Sequence, residues 1–125
     1  MTLRRAFETY LPLIEEELRQ ATESPHPLLR EYYGMMQYHL GWLSASLEPA
    51  QAPAGKRVRP MLCVLSCLAA GGEPARALPA AAALEILHNF SLIHDDIEDH
   101  SETRRHRPTV WKIWGAPSKP SRKPA

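Results

Sequence analysis

From Pro74 to Ile97 the chain runs without a glycine, is rich in alanine and leucine, and carries its two prolines, Pro74 and Pro79, near the start. Alanine and leucine are strong helix formers and proline is tolerated in a first turn, so the stretch predicts one long helix. A helix of that length is stabilised mainly by neighbours that bury its apolar side. The preceding chain supplies them. Leu3, Phe7, Tyr10, Leu11, Ile14 and Leu18 recur at three- and four-residue steps and predict an amphipathic helix from Thr2 to Gln20, bent or started at Pro12. After the breaker Ser24-Pro25-His26-Pro27, the spacing of Leu28, Leu29, Tyr32, Tyr33, Met36, Leu40 and Leu43 predicts a second helix reaching about Leu47. Glu48 to Gly55 is a loop by composition.

Met61 to Ala70 is nearly all apolar, follows Pro60 and ends at Gly71-Gly72. It predicts a buried helix with proline in its first turn and glycine at its end. A buried strand is the competing reading, disfavoured by the length of the run, its small residues and its single β-branched residue. Trp111, Ile113 and Trp114 suggest a further helix after Pro108. The fold class is therefore all-α, with at least four helices and no internal repeat.

The 125 residues suffice for one modest domain, and 15 Lys and Arg against 14 Asp and Glu give a formal charge of +1. No global field points towards nucleic acid or an anionic membrane, so anion binding has to be local. No apolar stretch is long enough for a signal peptide or membrane span, and a cytoplasmic setting is expected. Cys63 and Cys67 stand one helical turn apart and read as small core residues, not as a disulfide or metal site.

The long helix ends in Asp95, Asp96, Glu98 and Asp99. On a helix Asp95 and Asp99 share a face, and so many acids in so short a span repel one another. Such a cluster suits a hard cation: Mg²⁺ is typically held by one or two carboxylates plus substrate phosphates. A solvated acidic helix end is the bland alternative. Basic residues stand on both sides in sequence, Lys56, Arg57 and Arg59 before and Arg104, Arg105 and Arg107 after. Guanidinium forks and ammonium groups both grip phosphate, so the combination points to phosphates held partly through metal and partly by cations. His88 lies seven residues before Asp95, on roughly the same face, with Glu85 nearly another turn back.

Taken in order, Gly55-Lys56-Arg57-Val58-Arg59-Pro60, Glu85-Ile86-Leu87-His88, Asp95-Asp96-Ile97-Glu98-Asp99 and Arg104-Arg105 resemble the trans-isoprenyl diphosphate synthases, the polyprenyl synthetase family. The resemblance runs from about Gly55 to Gly115 and implies the N-terminal helices of the isoprenoid synthase helical bundle. It implies head-to-tail 1′-4 condensation of isopentenyl diphosphate with an allylic diphosphate. It assigns Asp95 and Asp99 to Mg²⁺, with Asp96 supporting that site and Arg104 contacting the allylic diphosphate. Lys56, Arg59, His88 and Arg105 would hold isopentenyl diphosphate. Phe90, five residues before Asp95, resembles the bulky floor that stops chain growth and implies a C15 or C20 product; an ordinary core phenylalanine is the other reading.

Two departures stand out. His106 follows Arg105 where many relatives have glycine. Family members are also well over twice this length and carry a second aspartate-rich motif on a later helix. Residues 1–116 are accordingly expected to be a partial synthase domain. Residues 117–125, rich in Pro, Ser and Lys, read as a disordered tail or a frameshift product. The chain alone is expected to lack synthase activity and to self-associate through uncovered apolar faces, as a homodimer or with a full-length synthase. A non-catalytic diphosphate-binding partner of such a synthase is the runner-up. A phosphohydrolase using His94-Asp95 is a distant third, because it needs further ligands from other helices.

Overall fold

A computed structural model describes residues 1–115, so the expectation for 117–125 lies outside the described residues. Thr2 opens the first helix by accepting the Arg5 backbone N–H on its hydroxyl at 3.2 Å, the usual way a threonine satisfies a free first-turn donor. Helix α1 then runs Leu3–Thr22 with Pro12 inside it. A short 3₁₀ turn, Pro27–Leu29, leads into α2, Arg30–His39. Helix α3 spans Val58–Ala69 and α4 spans Pro74–Glu98. A miniature antiparallel hairpin follows, β1 Thr103–Arg104 and β2 Arg107–Pro108, and then α5, Val110–Trp114.

Helices α1, α3 and α4 pack on one another around Ile14, Leu18, Met61, Val64, Ala81 and Ala82, all buried. The paired alanines on α4 present little side chain at the contact, which lets the helices come close. The all-α reading stands, with a four-residue sheet as its one β element among the described residues.

Three local expectations are corrected. The second helix does not reach Leu47. It stops at His39 because Gly41 takes φ +90°, where an added Cβ would come within 2.9 Å of the Ala52 carbonyl oxygen. Beyond it the chain doubles back, with Ala50 and Ala52 donating to the carbonyls of Trp42 and Gly41, and Leu47 folds over Gly34 of α2. The apolar helix α3 is not wholly buried: Met61 and Val64 are inside, whereas Leu62 is 57% exposed. Cys63 and Cys67 are half-buried free thiols; Cys63 packs against the core as expected, whereas Cys67 lies outside it.

Helix α4 likewise leaves Leu84, Leu87, Phe90 and Ile97 exposed. Such a stripe favours association. Light scattering of the purified chain is expected to show mass increasing with concentration; a monodisperse monomer at every concentration counts against this.

The hairpin explains the departure at His106. Its two-residue loop, Arg105-His106, has φ +50° and +65°, so both central positions are left-handed as a type I′ turn requires. Glycine accepts that conformation freely and histidine does not. His106→Gly is therefore expected to stabilise the chain by about 0.5–1 kcal/mol, read from urea unfolding.

Candidate functional site

The site is built around the end of α2. The last carbonyls of any helix lack internal partners and carry the negative end of its dipole. Here three successive ones each accept from a different arginine. Arg107 Nη1 donates to the Tyr38 carbonyl at 3.0 Å, Arg105 Nη1 to that of His39 at 3.4 Å, and Arg57 Nη2 to that of Leu40 at 3.1 Å. Both basic segments are thereby brought to one helix terminus.

The six basic residues divide into two groups. Arg57 is buried, with Nε donating to Glu15 at 2.7 Å and Nη1 to Glu85 at 3.1 Å. Arg107 also donates to the Leu43 carbonyl at 2.6 Å and stacks 3.9 Å above the Tyr38 ring, whose hydroxyl donates to the Pro108 carbonyl. These two arginines, read from composition among the phosphate-gripping cations, have their donors committed to the fold. Glu85 likewise serves the scaffold, accepting from Arg57 and from Asn89 Nδ2.

Arg104 places Nε and Nη2 on the two oxygens of Asp96, each at 2.8 Å. Asp96 is buried, while Asp95 and Asp99 are exposed at the end of α4. The bidentate pair fixes the Arg104 fork and leaves Nη1 as its uncommitted nitrogen within that pair. Asp96 and Asp95 are sequence neighbours with different work, one orienting an arginine and the other facing solvent.

Arg59, His88 and Arg105 come from three separate stretches of chain and lie near one another, while Lys56 is exposed on the loop beside Gly55. Arg59 Nη1 lies 3.2 Å from His88 Nε2. An added Cβ on Gly55, next to Lys56, would stand 3.2 Å from Arg105 Nη2, so that loop passes close against the Arg105 guanidinium. Burial, then the neighbouring Arg59, lower the His88 pKa. Burial, then the positive charges of Arg104 and Arg57, lower that of Arg105. A half-buried guanidinium crowded by cations, with one long hydrogen bond to a carbonyl, is electrostatically suited to an anion.

For a divalent cation, no three His, Cys, Asp or Glu side chains come together as a ligand set among the described residues. Asp95 and Asp99 still match the one or two carboxylates that Mg²⁺ takes when substrate phosphates and water complete its shell. His94, the ligand a phosphohydrolase would need, lies against the Phe90 ring with centroids 4.2 Å apart. Phe90 is half exposed and not a core residue. It lines an apolar hollow of about 270 Å³ with Tyr32, Tyr33, Met36, Ile86 and Ile93, between α2 and α4.

Sequence reasoning missed His39. It is buried, with Nδ1 2.8 Å from Asn89 Oδ1, and burial first of all pushes its pKa down to about 4. The only signal was its place two residues before Gly41, which does not separate a site residue from a helix end.

The His39 shift sets a pH dependence. The folded chain holds the imidazole neutral, and the unfolded chain protonates it near 6.5. The stabilisation is therefore complete above pH 6.5 and is lost as pH falls towards about 4. Its full loss is about 3 kcal/mol. Unfolding midpoints are expected to fall through that window, with a shallower fall in His39→Gln; parallel curves would assign the acid loss to other groups.

The chain is similar in sequence and fold to known proteins. The polyprenyl synthetase family model matches residues 41–118. The (2E,6E)-farnesyl diphosphate synthase of Mycobacterium tuberculosis is 45% identical over 103 residues, covering 82% of this chain and 28% of that protein. The geranylgeranyl diphosphate synthase of the same species is 44% identical over 98 residues, covering 78% and 27%. The crystal structure of a polyprenyl synthetase from Streptomyces coelicolor superposes with TM-score 0.69 at 41% identity, covering 90% of this chain and 31% of that one. The chain thus spans under a third of the length of these relatives.

Proposed function

The chain belongs to the polyprenyl synthetase family, and from that premise we propose that it provides the diphosphate-binding, first-aspartate-motif portion of a Mg²⁺-dependent prenyltransferase of isoprenoid biosynthesis. The observation that carries this reading is the division of labour among the cations: Arg57 and Arg107 are spent on the fold, while Arg105 and Arg59 stand with His88 where a phosphate can be gripped.

In this reading Lys56, Arg59, His88 and Arg105 hold isopentenyl diphosphate. Arg104, kept in register by Asp96, offers Nη1 to the allylic diphosphate. Asp95 and Asp99 would hold Mg²⁺. Bound there, the ion would supply positive charge to a departing pyrophosphate. The guanidinium groups add fixed positive charge beside the same leaving group, so their contribution is electrostatic and positional. Phe90 closes the lower end of the chain-accepting space, which favours a C15 or C20 product. The setting is cytoplasmic, and no helix among the described residues is long and apolar enough to cross a membrane.

The residues of this chain can bind diphosphate without completing turnover, and a diphosphate-binding partner of a full-length synthase rests on the same geometry. Calorimetric titration with inorganic pyrophosphate, with and without Mg²⁺, tests the shared step. Binding is expected in both conditions and tighter with the metal. Asp95→Asn and Asp99→Asn should remove the Mg²⁺ enhancement, and Arg59→Ala should weaken metal-free binding about tenfold, as loss of a charged hydrogen bond does. No heat of binding in either buffer would overturn the reading. Product formation from isopentenyl and allylic diphosphates by the chain alone would show that it is catalytic by itself.

A further inference from the structure

His39 belongs to no motif of the proposed site, yet its hydrogen bonds are chemically specific. Asn89 Nδ2 donates to the Glu85 carbonyl at 2.8 Å and to Glu85 Oε1 at 3.1 Å. With the amide nitrogen so engaged, Asn89 must turn Oδ1 towards His39 Nδ1, 2.8 Å away. An oxygen acceptor there requires the proton on Nδ1, so in the neutral ring Nε2 is a bare acceptor. Nε2 is buried and meets no donor among the described residues. An uncompensated buried acceptor is costly, so an available donor nearby is drawn to it.

The surroundings are rich in donors. His39 helps line a small hollow of about 20 Å³ together with Arg104, Arg105 and Arg107, room for one water-sized group. Arg105 already touches the His39 carbonyl through a 3.4 Å bond, long for an N–H donor. Burial first, and then the positive charges of Arg105 and Arg104, favour the neutral acceptor form, with Asn89 and Asp96 pulling the other way.

We propose that His39 is a positioning residue for the diphosphate site: held by Asn89 as the Nδ1–H tautomer, it presents Nε2 to Arg105, directly or through one water, and fixes the direction of that guanidinium. The idea rests on the reading of Arg105 as a diphosphate ligand. It explains why α4 holds a buried Asn89 whose three polar contacts all serve to orient one ring.

Two measurements on the 125-residue chain test it. Long-range proton–nitrogen correlation NMR of imidazole-labelled protein at neutral pH should show His39 as the Nδ1–H tautomer. An Nε2–H tautomer or an imidazolium overturns the inference by itself, whatever the binding data. The second is metal-free titration with inorganic pyrophosphate of the native chain, His39→Asn and His39→Gln. Asparagine keeps an amide donor near Asn89 and removes the acceptor at Nε2; glutamine keeps the acceptor. His39→Asn should bind about tenfold more weakly and His39→Gln within about twofold of the native chain. Equal affinity in all three, or equal weakening of both variants, overturns the positioning role. Failure of the native chain to bind pyrophosphate removes the diphosphate reading and the positioning role with it, while the tautomer result still reports the ring geometry. If His39→Asn does not fold, His39→Phe, which keeps a ring and removes the acceptor, takes its place with the same expected weakening of about tenfold, and unchanged affinity overturns the positioning role.

Discussion

The exposed carbonyl end of α2 is the constraint on which the rest of the molecule turns. A helix terminus inside a protein leaves acceptors that have to be satisfied, and water, caps or ligands are the usual answers. Here Arg57, from the loop before α3, and Arg105 and Arg107, from the hairpin, answer instead. The arrangement holds the helices and the hairpin in one register and decides which cations remain available. An arginine with two carboxylates and a carbonyl has little capacity left; one with a single long bond has most of it.

Burying Arg57 among Glu15, Glu85 and the Leu40 carbonyl is worthwhile only because the hydrogen bonding is so complete. A buried ion pair gains little over an apolar equivalent when fully satisfied, but loses heavily when one partner is removed. The group therefore acts as a specification of geometry more than a source of stability. The left-handed residues make the same point. Arg57, Arg105 and His106 take positive φ in the two basic segments, and each is held there by side-chain or hairpin contacts.

Much of the fold was legible because helical periodicity and proline and glycine punctuation are local. The long α4 and the start of α1 are read directly from such signals. The end of α2 was not, because Tyr38 to Leu43 continue the apolar spacing and the decisive fact, Gly41 against the Ala52 carbonyl, is a contact between distant residues. The exposure of Leu62 shows the converse: an apolar run states what a helix can bury, not what covers it. At the candidate site, order and spacing singled out two basic segments that meet at the end of α2. Composition could not separate Arg57 from Lys56 or Asp96 from Asp95, since neighbouring residues of one charge type point to opposite sides of a turn. His39 was silent because its role depends on a proton placed by Asn89, fifty positions away.

The separation in sequence of the groups that meet at α2 also bears on how the chain assembles. Arg105 and His39 are 66 positions apart, and Arg107 and Tyr38 are 69. Helices form on local contacts in about a microsecond, whereas contacts across so long a loop wait on chain closure. During synthesis, the bonds from Arg105 and Arg107 to the carbonyls of His39 and Tyr38 wait until the hairpin has left the ribosome and folded back. The core of α1, α3 and α4 can therefore be in place before the corner between the hairpin and α2 exists, making that corner the last part of the molecule to be organised and the first to be lost by local unfolding.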